Sequence, residues 1–75
     1  MNDEVLDQLL EVVNHSSEPA RIVIEPWADE CTLKPRETCR IAYKTEPGHS
    51  MLELEYRKDG MAIHFPEGSL ADFAD

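Results

Sequence analysis

Basic side chains are scarce in this sequence: seven Lys and Arg stand against sixteen Asp and Glu in 75 residues, a net charge of −9. A duplex-binding surface needs a basic face to release counterions from phosphate, so direct nucleic-acid binding is not expected. Anionic membrane surfaces are disfavoured for the same reason. Cysteine is scarce too. Cys31 and Cys39 are the only two, too few for a disulfide framework and better read as reduced thiols. No apolar run approaches the ~18 residues that a membrane span requires. The opening Met1-Asn2-Asp3-Glu4 has no basic stretch of the secretory kind, so a cytoplasmic location is the default expectation. The chain is also too short for two domains. One domain of this size buries roughly 60–65% of its unfolded surface, and an enclosed active site would take up much of so small a core.

What is present reads as a globular chain. Hydrophobic residues make up 41% and charged residues 31%, which is too apolar for disorder. The charge is uneven: −7 over residues 1–30, +1 over 31–60 and −3 over 61–75. An acidic first half beside a mildly basic centre can steer a partner, although paired strands neutralise much of the centre on their own.

Turn signals recur every 8–12 residues, a spacing typical of all-β domains. They are His15-Ser16-Ser17-Glu18-Pro19, Glu25-Pro26-Trp27, Lys34-Pro35-Arg36, Glu46-Pro47-Gly48-His49 and Lys58-Asp59-Gly60. Segments rich in Val, Ile, Leu and Tyr lie between them. The pattern predicts strands at about 9–14, 20–25, 30–33, 37–45, 50–57 and 60–65, arranged as a six-stranded antiparallel meander rolled into a small sandwich or barrel. Residues 1–8 form a lead-in, 9–65 the β core and 66–75 a C-terminal tail.

Register gives the expectation more detail, because apolar residues must share a face. A turn at Asp59-Gly60 sets Tyr56 opposite Ile63 and Leu54 opposite Phe65. A four-residue loop from Glu46 to His49 sets Ile41 opposite Leu54, Tyr43 opposite Leu52 and Cys39 opposite Tyr56. A hairpin centred on Pro35 sets Cys31 opposite Cys39. These turns align Cys31, Cys39, Tyr56 and Ile63 in one inward row, with Arg40, Glu55 and His64 on the other face. A first hairpin through His15 to Pro19 pairs Val12 with Ile22 and Leu10 with Ile24. At the start, Val5, Leu6, Leu9, Leu10 and Val13 also fit a helical stripe with Asn2 as its cap, so a short helix over residues 3–8 is the alternative lead-in. Near the end, Ser69 caps a single helical turn with Leu70 and Phe73 on one side.

The run Val13-Asn14-His15-Ser16, then Pro19, Ile22-Val23-Ile24, Pro26, Thr32-Leu33, Pro35, Glu37 and Ile41 resembles bacterial immunoglobulin-like β-sandwich domains. In those, an Asn/Ser turn, an apolar strand, a proline corner and a Leu-x-Pro-Gly-Glu hairpin often follow in this order. Arg36 stands here in place of the glycine. The resemblance covers about 30 residues and implies a fold class, not an activity.

The chemistry-bearing constellations are sparse. Cys31 and Cys39 are the low-grade candidates for a metal site, but zinc ligands usually arrive in close pairs, and His15, His49 and His64 are scattered. Two small buried apolar residues are the better reading of the cysteines, and a cross-strand disulfide is a minor third option. Gly48-His49-Ser50-Met51-Leu52 begins like a nucleophile elbow yet has Leu52 where the second glycine belongs, and the chain is too small for the sheet that the elbow needs. His15-Ser16 and His49-Ser50 fall in turns with no orienting third group. Arg40, Glu55 and His64 read as a solvated charge ladder. Lys34, Arg36, Arg40 and Lys44 cluster on one hairpin beside Glu37, Glu53 and Glu55, without the aromatic interleaving that stacks single-stranded bases.

No catalytic residue, cofactor or metal is therefore assigned, and the chain is expected not to be an enzyme. Trp27, in a corner with Glu25, Asp29 and Glu30, is the candidate partner-binding anchor, or else folds back to plug the end of the sandwich. The expected function is a protein-interaction or assembly-accessory module. It would use the acidic amino-terminal hairpin with this corner, or an unpaired edge strand, which could equally join two copies. An acidic mimic of nucleic acid, of the phage-encoded kind, is the second reading. A metal- or thiol-dependent accessory protein is the third.

Overall fold

The structure of the protein, a computed structural model, describes residues 6–74. Seven strands form: β1 (Gln8–Val13), β2 (Ala20–Glu25), β3 (Asp29–Leu33), β4 (Thr38–Lys44), β5 (Glu53–Arg57), β6 (Gly60–His64) and β7 (Leu70–Phe73). They build a three-stranded sheet in the order β1-β4-β7 and a four-stranded sheet in the order β3-β2-β6-β5. The described residues contain no helix. Of the alternative helix over residues 3–8, residues 3–5 lie outside them, Leu6 and Asp7 are not helical and Gln8 belongs to β1.

Burial explains why β2 and β6 sit at the centre. Ile22, Val23 and Ile24 are consecutive and all buried, as are Ala62 and Ile63. A strand covered on both faces reads as a continuous apolar run rather than an alternating one, which is the signature of a parallel interior pair. β2 and β6 do run parallel, with Ile22 opposite Met61 and Ile24 opposite Ile63. Between the sheets, Ile24, Ile41 and Ile63 are fully buried and anchor one cluster with Ile22, Leu33 and Phe65.

The strand positions agree with expectation, and the pairing does not. Val12 pairs with Cys39 and Leu10 with Ile41, so the first hairpin is absent and β1 belongs to the other sheet. Cys31 pairs with Ile22, not with Cys39. No ladder joins β4 to β5; at both Pro35 and Pro47 the chain passes from one sheet to the other instead of turning back within one. The β5–β6 hairpin does form, with Arg57 opposite Gly60 and Tyr56 opposite Met61. The turn is thus Lys58-Asp59. The expected helical turn after Ser69 is β7, which pairs antiparallel with β4, Ile41 opposite Phe73. The architecture is therefore a seven-stranded mixed sandwich, neither a meander nor a closed barrel.

Two local features fix this arrangement. At Lys34-Pro35-Arg36-Glu37 the Glu37 amide donates to the Lys34 carbonyl at 3.0 Å, and Arg36 has φ of 72°. Proline second and a positive φ third is the type II pattern, which favours glycine at the place Arg36 holds. At Gly60 the reason is space. A Cβ there would stand 2.0 Å from the Arg21 carbonyl oxygen, so only glycine lets β6 begin against β2.

Candidate interaction surface

The four-stranded sheet is one strand wider than its partner, and β5 is its edge. Leu54 and Tyr56 lie on the inward side by parity, opposite Ile63 and Met61, yet Leu54 is 53% and Tyr56 83% exposed. Met51, just before the strand, is 85% exposed. Beside them a groove of about 440 Å³ opens between the end of β1 and the β5–β6 hairpin. Val12, Ile22, Leu33 and Met61 form its apolar part and Tyr56 part of its wall.

Backbone phase decides what this edge offers. The Phe65 amide donates to the Glu25 carbonyl at 3.0 Å, which turns the polar groups of Phe65, Ile63 and Met61 towards β2. Those of Gly60, Ala62 and His64 then face β5, where their partners are Arg57, Glu55 and Glu53. In an antiparallel ladder the intervening residues point the other way. The amides and carbonyls of Leu54 and Tyr56 are therefore directed outward, away from β6.

The outer face of this sheet is a charge lattice. Arg21 grips Glu30 with two hydrogen bonds, at 2.6 and 3.0 Å, and reaches Asp59 at 3.5 Å. Arg57 lies 3.2 Å from Glu55 and 3.7 Å from Glu25. His64 Nε2 and Glu55 Oε1 are 2.8 Å apart. The bond from Arg21 holds the Glu30 carboxyl below its ordinary value, and those from His64 and then Arg57 do the same to Glu55. Val23 and Ala62 are buried on this face, between these side chains.

The other expected residues are distributed as follows. Trp27 is 39% exposed and leans on Phe65, ring centroids 5.9 Å apart, while Phe65 also meets Tyr43 at 5.3 Å. Of the acids around Trp27, Glu25 and Glu30 are ion-paired and Asp29 is exposed at the start of β3. Glu55 and His64 do meet, but Arg40 is in the other sheet, 3.3 Å from Glu11. Lys34 and Arg36 occupy the crossing turn, and Arg40 and Lys44 lie on β4. His49 closes a turn with Glu46. Cys31 and Cys39 are free thiols, and burial pushes the Cys39 thiol up to about 12, with Cys31 as the hydrogen-bonding neighbour that adds to the effect. Among the described residues no group of three His, Cys, Asp or Glu gathers to hold a metal ion.

Asn14 entered the sequence reading only as part of an Asn/Ser turn, not as a candidate site residue. Only 6% exposed, it donates from its side chain to the carbonyls of Glu18 and Leu33 and accepts from the amide and hydroxyl of Ser16. Its backbone also bonds Glu37 and Arg36. It ties the β1–β2 loop to the crossing turn at one rim of the groove. No protein-family model, curated protein or solved structure matches the chain.

Proposed function

We infer that the protein is a non-catalytic interaction module that accepts an extended segment of a partner protein along β5. The observation that supports this most is the edge itself: unpaired backbone at Leu54 and Tyr56 coincides with the exposed apolar side chains of the same two residues. Main-chain bonds supply affinity in such strand addition and alternate side chains supply selectivity. A residue paired with Leu54 or Tyr56 would present its side chain to the apolar side and the groove. Its neighbours would fall beside Glu53 and Glu55. The partner segment is accordingly one that alternates apolar with basic residues, drawn in by the net charge of −9. A nucleic-acid mimic is less favoured by the same lattice, because Glu25 and Glu30 are already paired with bases of this chain.

The test is titration of the labelled protein with two synthetic octapeptides, one alternating Val with Lys and one alternating Val with Glu, followed by NMR. The Val/Lys peptide is expected to shift the amides of Leu54 and Tyr56, to bind more weakly as salt rises, and to lose binding to the Leu54→Pro variant. That substitution removes an outward donor and leaves the bonds to β6 in place. Shifts centred on Trp27 and Asp29, or equal binding of the two peptides, would overturn the assignment to β5.

A further inference from the structure

Cys31 and Cys39 are eight positions apart in sequence and belong to different sheets. Parity with Leu33 turns Cys31 inward, and parity with Ile41 does the same for Cys39. Both pack against the same core cluster. Both thiols are half-buried there, and Cys31 helps to push the Cys39 thiol up, as a near neighbour does. Directly opposed residues of neighbouring strands suit a disulfide poorly, but these two are not such a pair. They face each other across the space between the layers, close to the crossing turn that joins their strands. Bonding must bring the sulfurs to about 2 Å. β3 has the freedom to follow, because it is an edge strand held only by β2.

We propose that Cys31 and Cys39 are a reversible dithiol–disulfide site, oxidised by a low-molecular-weight disulfide to a bond that joins the two sheets. β3 is an edge strand whereas β4 lies between β1 and β7, so the first attack falls to Cys31. The Cys31 thiolate displaces one thiolate from the small disulfide and forms a mixed disulfide. The Cys39 thiol then gives its proton to water, and its sulfur attacks the Cys31 sulfur and releases the second thiolate. Two protein thiols lose two electrons and two protons; the small disulfide becomes two thiols. The result closes a short loop through the crossing turn, which limits the unfolded chain and raises thermal stability.

The experiment uses the full chain with oxidised glutathione as the probe. Intact mass is expected to fall by two hydrogens, peptide mapping to recover a Cys31–Cys39 cross-link, and the thermal midpoint to rise by about 10 °C, all reversed by dithiothreitol. Cys31→Ala and Cys39→Ala should each lose the midpoint shift. The mass and mapping measurements need no variant, so they decide the matter even if a substitution impairs folding. A persistent glutathione adduct on either cysteine, a cross-linked dimer, or oxidation seen only in urea would overturn the proposal.

Discussion

Asn14 is a polar side chain that behaves as a core residue. Its four side-chain hydrogen bonds reach Ser16, Glu18 and Leu33, and removing it takes a buried donor from the Leu33 carbonyl. Such bonds contribute about 1 kcal/mol each net, and an orphaned buried group costs about 1–3 kcal/mol. Asn14→Ala is therefore expected to destabilise the protein by about 2–3 kcal/mol, read as a lower urea midpoint at unchanged slope. Asn14→Asp should be no milder, since a carboxylate would face the same carbonyls. The sequence shows that a turn begins here, because Asn and Ser are turn residues for local reasons. It does not show the hub, because the Leu33 carbonyl is nineteen positions away. Arg36 is the reverse case. A glycine was the expected residue at that place, and the positive φ explains why.

At the level of strands, the outer lattice of β2, β5 and β6 sets a pH dependence. Glu30 and Glu55 have folded-state values held below the ordinary carboxylate value. A depressed carboxyl contributes stability that is complete above its unfolded value and is lost as pH falls through the folded one. The thermal midpoint should thus drop as pH is lowered from about 5 towards 2, and the double variant Glu30→Gln/Glu55→Gln should flatten that slope. Both groups are exposed, so the effect is small; an unchanged slope would mean that these pairs are screened out. The same strands show what could be read in advance. Turn spacing located every strand but the last. Parity sent Cys31, Cys39 and Ile63 inward, because side-chain direction depends only on position along a strand. Neighbours were not legible in this way, since a turn that crosses between layers has the same Pro-rich composition as one that folds back. One signal was available: Ile22-Val23-Ile24 does not alternate, which suits an interior strand better than an edge strand. For β7, Leu70 and Phe73 three apart mimic one helical face. Pairing with β4 decides otherwise, placing Ala71 and Phe73 against the core and leaving Leu70 exposed. The candidate surface was visible only in outline. That β5 overhangs follows from four strands facing three, and no local pattern encodes it.

Taken whole, the molecule has its most buried strands at the centre of a sheet that its local hairpins cannot complete. Arg21 finds Gly60 and Ile24 finds Ile63 across a separation of thirty-nine residues, and β1 must wait for β4. Only the β2–β3 and β5–β6 hairpins can close early, and isolated two-stranded hairpins are marginal in water. Chain closure must therefore be completed before most of the apolar surface is covered, which raises the entropic part of the barrier. A chain of this kind is expected to reach its native state in milliseconds to seconds rather than microseconds. Stopped-flow refolding followed by Trp27 fluorescence would measure this, and a microsecond phase carrying the full amplitude would contradict it. During synthesis the consequence is sharper. Until Ile63 has left the ribosome, β2 lacks its central neighbour, so the nascent chain gains its cooperative structure only once β6 has emerged.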